Sequence, residues 1–218
     1  MLNNYICALD IGSSKISAVL AEFKNKKLAN ISFDSLPVKG VKEGMIVDSS
    51  TLISLVSRIL KNLKAKSGVN IKFVSVNISG RDITTKHSRA VIPLAERGNK
   101  VISVSDMQRV IEQARILGSS LEDEIIHMIP LSYSIDAKSE ILNPLGLYSH
   151  KLEVDLYLVC SKLSSVQSLT RTINQSGYEV KDLFLSGVAT SKAVFGPGLK
   201  EGLNILCDLG SDTTELLV

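Results

Sequence analysis

Twice in this chain an Asp-x-Gly stands between two apolar runs, once near each end. The first is CALDIGSSKISAVL, residues 7–20, and the second is LCDLGSDTTELLV, residues 206–218. Both read as strand, tight turn, strand. A short turn fixes the register of the strands it joins. A unit repeated at two distant places therefore predicts two related half-structures, each opening on the same hairpin.

Such a turn has a plain chemical use. Gly12 and Gly210 let backbone approach a ligand with no Cβ in the way. Successive backbone N–H groups at the turn form an anion cradle. Ser13, Ser14, Thr213 and Thr214 add hydroxyl donors. Asp10 and Asp208 sit at strand ends, where a carboxylate can hold the waters of a Mg²⁺ ion. Two such turns facing each other would clamp a polyphosphate from both sides. The plain alternative is that each is a simple hairpin, since Gly, Ser and Asp dominate turns in general.

Between the two units the pattern alternates strand and helix. Tyr5–Ile11, Lys15–Phe23, Lys27–Leu36 and Ile71–Ile78 read as strands. None of the first strands has a clean polar face, which predicts cover on both sides. Asp48 or Ser49 caps a helix whose apolar stripe is Leu52, Leu55, Val56, Ile59, Leu60 and Leu63. Gly68 ends it.

From about Arg81 the texture changes. DITTKHSRAVIPL predicts an exposed hairpin or ribbon. Ser105 and Asp106 open a helix closed by Gly118. EIIHMIPLSYSID alternates, with Ile125, His127, Ile129, Leu131, Tyr133 and Ile135 on one face and Pro130 marking an edge strand or a bulge. KLEVDLYLVC puts Leu152, Val154, Leu156, Leu158 and Cys160 inward and Glu153 and Asp155 outward. Residues 82–161 thus form a compact unit of helix and antiparallel strands. The α/β texture then returns: a helix from Ser164 or Ser165 to Gly177, a strand Val180–Leu185, and a short helix Gly187–Phe195. GPGLKEG, 196–202, has the composition of a linker, and Leu203–Leu209 begins a new strand.

Composition excludes several classes. With 25 basic and 22 acidic residues the net charge is only +3, and no basic stripe marks a nucleic-acid surface. No apolar run reaches the ~20 residues of a membrane span, and the first residues carry no secretory pattern. Cys7, Cys160 and Cys207 are an odd, scattered set, which predicts buried reduced thiols and a cytosolic setting. His87, His127 and His150 lack ligand spacing.

The two hairpins resemble the first and second phosphate loops of the actin/Hsp70/sugar-kinase superfamily. Within it the chain is most similar to the bacterial cell-division FtsA family. GMIVDSSTLISLV, VSVNISG, EIIHMIPLSYSID, NPLGLYSHKLEVDLYLV and LFLSGVATSKAVF all resemble FtsA segments, in the FtsA order. The resemblance implies an α/β, actin-like (ribonuclease H-like) subdomain 1A over 1–81 and 162–202. It implies an inserted α+β 1C-like (SHS2) subdomain over 82–161, and the start of a truncated subdomain 2A over 203–218. It also implies ATP and Mg²⁺ as ligands. Asp10, Gly12, Ser13, Ser14 and Lys15 fall on the first loop, and Asp208, Gly210, Ser211, Thr213 and Thr214 on the second. Asp10 and Asp208 lie nearest the metal.

An FtsA-like protein would self-associate into filaments, link the FtsZ ring to the inner face of the cytoplasmic membrane, and recruit later division proteins. The insertion would supply an interaction surface. Slow ATP turnover at most is expected, because no residue here can be assigned to orient a hydrolytic water. The resemblance further implies that the remaining half of the fold, the FtsZ-binding region and a membrane helix lie beyond residue 218. The piece alone would then bind nucleotide weakly and would not bind membrane.

In one respect the second loop departs from the family pattern Asp-Ile-Gly-Gly-Gly-Thr-Thr-Asp. Ser211, Asp212 and Glu215 replace the last two glycines and the final Asp. Two unit charges ~5 Å apart at an effective dielectric of 20 repel by about 3 kcal/mol. Asp212 therefore weakens ATP binding, or else its side chain caps the turn and faces solvent; both readings stand. Two other functions fit the same hairpins. One is a PilM-like pilus-assembly platform. The other is a small-molecule kinase, which would need a general base near the acceptor, and the sequence offers no candidate.

Overall fold

The computed structural model describes residues 5–25, 27–95, 98, 100–136, 138–195 and 203–218. The expected linker at 196–202 lies outside the described residues. In chain order the elements are β1 (Tyr5–Ile11), β2 (Lys15–Lys24), β3 (Lys27–Pro37), β4 (Val41–Lys42), β5 (Met45–Ile46), α1 (Ser49–Ser67) and β6 (Phe73–Ile78). There follow β7 (Ile83–Pro93), β8 (Lys100–Val101), α2 (Val104–Gly118), β9 (Asp123–Ile135), β10 (Lys138–Ile141), β11 (Tyr148–Ser149) and β12 (Lys151–Lys162). The last are α3 (Leu163–Gln175), β13 (Glu179–Leu185), α4 (Ser186–Phe195), β14 (Leu206–Leu209) and β15 (Thr214–Leu217). They divide into two compact units, one of Met1–Asp82 with Ser164–Val218 and one of Ile83–Leu163.

The first unit is built on a five-stranded sheet in the order β13-β6-β1-β2-β3. β1, β2 and β3 pair antiparallel, whereas β1–β6 and β6–β13 pair parallel. Renumbered by appearance in this sheet alone, the order is 3-2-1-4-5, the ribonuclease H-like arrangement. The Asp48 carboxylate accepts the Thr51 N–H at 3.1 Å and caps α1. Leu52, Val56, Ile59, Leu60 and Leu63 are fully buried against Leu9, Ile16, Leu20, Val74 and Val76, with Leu169 and Ile173 of α3 in the same cluster.

Only one face of this sheet is closed among the described residues. In β1, Cys7, Leu9 and Ile11 are buried while Ile6, Ala8 and Asp10 are exposed. Phe73 and Phe184 are exposed as well. The apolar composition of the strands predicts two covered faces; α1 and α3 supply one.

The second unit is a four-stranded sheet in the order β10-β9-β12-β7, with α2 packed on β7 and β12. β12 is its spine: Leu152, Val154, Leu156, Leu158 and Cys160 are fully buried. The predicted ribbon at 82–94 is instead one long strand, β7, paired with β12 from Ile83 to Pro93. Its Ser88, Ala90 and Ile92 face the core, and Arg89 and Val91 between them face out. β9 carries register shifts opposite Asp155/Leu156 and Val159/Cys160. Each bulge exchanges the two faces. The alternation expected over 125–135 is therefore broken: Tyr133 and Ile135 are buried, whereas Ile129 and Leu131 are exposed.

α2 begins at Val104, slightly earlier than Ser105 and Asp106 suggest in sequence. Ser103 is the N-cap and forms a capping box with Asp106. The Asp106 carboxylate accepts from the Ser103 hydroxyl at 2.6 Å and the Ser103 amide at 3.0 Å. Lys100 and Arg109 flank it at 3.0 and 3.4 Å.

Cys7 and Cys160 are buried, and burial pushes the Cys7 thiol up to about 12. Cys207 is exposed, contrary to its apolar setting in sequence. β14 is shorter than expected, starting at Leu206.

Candidate nucleotide site

The two hairpins close in the same way. At the first, the Gly12 N–H donates to the Lys15 carbonyl at 3.0 Å; at the second, the Gly210 N–H donates to the Thr213 carbonyl at 2.9 Å. A Cβ on Gly12 would stand 3.3 Å from the Lys15 oxygen, and one on Gly210 would stand 2.7 Å from the Thr213 oxygen. Glycine is thus required here by the closeness of the hairpin's own returning carbonyl, before any ligand is considered.

Both hairpins belong to the first unit, and their carboxylates feel each other. The Asp10 pKa is raised mainly by desolvation and also by the charge of Asp208, while Lys15 opposes the shift. Asp10 is open to solvent along one side, so it occupies a recess. It sits near the carboxyl end of β1, beside the parallel strand β6, at the end of a sheet where α/β folds bind ligands. Ser13 is half-buried, Ser14 and Lys15 are exposed, and the Ser14 carbonyl accepts the Val38 amide at 2.9 Å. Ser211 and Thr214 are exposed, and Thr213 is half-buried.

Five groups around these hairpins carry no motif in the sequence. Asn77, a polar residue inside the apolar strand β6, accepts the Ile11 amide at 2.7 Å and donates to the Ser186 hydroxyl at 3.0 Å. It ties the end of β1 to the start of α4, and its polarity in mid-strand was the available signal. Gly187 lies in the first turn of α4, beside the Glu215 carboxylate. Gly80 donates its N–H to Glu215 at 3.2 Å. Glu43 donates its N–H to Asp212 at 3.2 Å.

Asp212 is exposed, as the solvent-facing reading expects, and both of its carboxylate oxygens are engaged. One carboxylate oxygen accepts from the Ser211 hydroxyl at 3.3 Å. The other is turned onto the Glu43 amide, 169 positions away in the chain. Glu215 is partly buried, and desolvation is the main cause of its raised pKa. Asp208 adds to that rise, whereas hydrogen bonds from Gly80 and Gly187 oppose it.

The donor set suits a hydrated divalent cation. Asp10 is disfavoured as an anion by burial and by Asp208, and a cation between them would reverse both effects. No group of three metal-capable side chains gathers among the described residues, so Mg²⁺ held here would keep most of its waters.

Comparison with known proteins finds relatives for the whole chain. Residues 80–160 match the family model described as the SHS2 domain inserted in FtsA. Over its full length the chain is 29% identical to the cell division protein FtsA of Borreliella burgdorferi, covering 53% of that protein. It is 26% identical to FtsA of Bacillus subtilis over 99% of the chain and 49% of the relative.

Over its whole length the chain is similar to FtsA proteins, and its middle third matches the domain inserted in them.

It spans about half the length of the FtsA relatives it matches, and corresponds to their N-terminal part. Two solved structures share its fold. The PilM–PilN type IV pilus biogenesis complex aligns with a TM-score of 0.59 at 15% identity, covering 97% of this chain and 56% of that one. The ethanolamine utilization protein EutJ of Carboxydothermus hydrogenoformans aligns at 0.51 and 13% identity, covering 99% and 47%. The fold of this FtsA-like chain is thus the actin-like ATPase architecture, with an α+β domain inserted.

Proposed function

We propose that this chain forms one wall of an ATP·Mg²⁺ cleft in a filament-forming adaptor of cell division. The observation that carries the reading is the pair of hairpins. They share one closing hydrogen bond, lie in the same unit, and have carboxylates in electrostatic contact. In this reading the amides and hydroxyls of Gly12–Lys15 and Gly210–Thr214 bind phosphate oxygens. Asp10 and Asp208 hold the waters of Mg²⁺, whose bound charge offsets that of the phosphates. Residues 1–81 and 162–202 correspond to subdomain 1A, 82–161 to subdomain 1C, and 203–218 to the start of subdomain 2A.

The family relationship supports the rest. The protein would self-associate, engage FtsZ and later division proteins, and work in the cytoplasm at the inner face of the membrane. No described helix is long and apolar enough to cross a membrane. Hydrolysis is slow or absent in this reading. The PilM likeness in fold favours a second reading, a pilus-assembly platform.

Sedimentation with FtsZ filaments of this chain joined to the C-terminal half of an FtsA relative, with and without Mg·ATP, tests the proposal. Nucleotide-dependent co-sedimentation is expected. Phosphoryl transfer to a small acceptor, or binding of a pilus membrane-protein peptide without FtsZ binding, would overturn it.

A further inference from the structure

The Glu43-Gly44 turn is held in a form that its own sequence does not favour. It closes the β4–β5 hairpin between Lys42 and Met45. Both residues have positive φ, +50° at Glu43 and +78° at Gly44. Two-residue hairpin turns with two positive φ values prefer Asn, Asp or Gly at the first position, and a glutamate there needs outside support. Neighbouring segments supply that support. The Glu43 N–H donates to Asp212 at 3.2 Å. Its carbonyl accepts the Arg81 amide at 3.4 Å, and its carboxylate pairs with the Arg81 guanidinium at 3.1 Å.

Backbone meets backbone at the same place. A Cβ on Gly44 would land on the Ser79 carbonyl, and one on Gly80 (φ +101°) would land on the Glu43 carbonyl. The 43–44 turn and the 79–81 segment are therefore in direct main-chain contact. The second hairpin reaches both through side chains, Asp212 to Glu43 and Glu215 to Gly80. Glu215 also approaches Gly187 in the first turn of α4, where free helix amides favour a carboxylate.

We propose that Asp212 and Glu215 are positioning residues that latch the second hairpin onto the Glu43 and Gly80 amides, so that its phosphate-facing backbone is set before ligand arrives. The inference rests on the nucleotide reading of the hairpins given above. It explains Asp212, which stands where the glycine-rich form of the loop has a glycine, and Glu215, which lengthens the carboxylate side chain of its final Asp. A glycine at 212 would leave the Glu43 amide unanswered. Asp212 gives up flexibility at the turn and supplies an acceptor for a strained neighbour. Neither residue touches the reacting atoms in this scheme.

Amide hydrogen exchange in the unliganded chain, followed by an Mg·ATP titration read on amide shifts, tests the latch. Asp212→Ala is expected to speed exchange at Glu43, and Glu215→Ala at Gly80, each about tenfold. Amides of Leu152–Leu158 in the second unit should not change, which separates local release from general unfolding. Asp212→Asn retains an acceptor oxygen and should restore protection. Loss of one such bond should weaken Mg·ATP about five- to tenfold in Asp212→Ala and leave Asp212→Asn near the parent.

Unchanged exchange at Glu43 and Gly80 in the alanine variants overturns the latch. Equal tightening of Mg·ATP by Asp212→Ala and Asp212→Asn also overturns it, because that pattern is charge repulsion. If exchange responds as expected but the parent does not bind Mg·ATP, the latch is supported and the nucleotide reading alone fails.

Discussion

Asp208 lies directly across the β14–β15 ladder from Glu215, so two carboxylates share one face of a two-stranded hairpin. Like charges in that relation repel, and here they do so beside a third, Asp10. Glu215 is relieved by the Gly80 and Gly187 amides.

The first prediction follows from that pair. Glu215 should titrate above the ordinary glutamate value near 4.3, in the direction its burial and Asp208 impose. A carboxyl whose folded pKa is raised weakens the fold above that pKa, and the penalty disappears as pH falls through it. Carboxyl-carbon NMR titration reads the midpoint. Asp208→Asn should lower it, and an unchanged midpoint would refute the coupling.

The two hairpin glycines should differ in tolerance. At Gly210 an added Cβ meets a backbone oxygen at 2.7 Å, and at Gly12 the distance is 3.3 Å. Gly210→Ala should distort its turn and cost about 1–3 kcal/mol of local stability, as overpacking does. Gly12→Ala should cost less. Urea unfolding of the two variants, together with amide shifts of residues 206–217, gives the ranking.

Acid should weaken the second unit through Asp106. Bonds from Ser103 and Lys100 hold its carboxyl at about 2, below the ordinary 3.8. A depressed carboxylate contributes stability above its unfolded value and loses it as pH falls through the folded one. The contribution is therefore complete above about pH 4 and gone near pH 2. Ser103→Ala removes the cap and should cost about 1 kcal/mol at neutral pH. It should also flatten the acid dependence measured by far-ultraviolet circular dichroism.

Packing at the end of α2 leaves no room for a methyl group. A Cβ on Gly118 would strike the Leu158 side chain and stand 2.9 Å from the Ser88 Cβ. Ser88 is itself fixed by donating to the Ala114 carbonyl at 2.7 Å. Gly118→Ala should lower the unfolding midpoint by an amount comparable to Ile→Val core changes, about 1 kcal/mol, with Ser88→Ala partly restoring it.

Much of this was legible in the sequence because local rules and tertiary packing agreed. The stripe Leu52–Leu63 and its Asp48 cap gave α1 from helical period alone, and β12 followed from strict alternation. The hairpins were legible because Asp-x-Gly occurs twice. Failures cluster where the outcome depends on a partner strand. The bulges of β9 are invisible until β12 is paired with it, and β7 looked like a ribbon because only alternate residues touch the core. The latch was hidden for a related reason. Asp212 and Glu215 stood out as departures, but their acceptors meet backbone amides, and an amide carries no side-chain signature.

Ile83 pairs with Ser161 at one end of the β7–β12 ladder, so the inserted unit starts and finishes at neighbouring points. Closing a chain across so small a gap costs the host little entropy, however long the intervening stretch. To the ribonuclease H-like sheet, the whole module is equivalent to a short surface loop. Its length and surface can change while the spacing of β6 and β13, and with it the setting of the first hairpin, stays as it was.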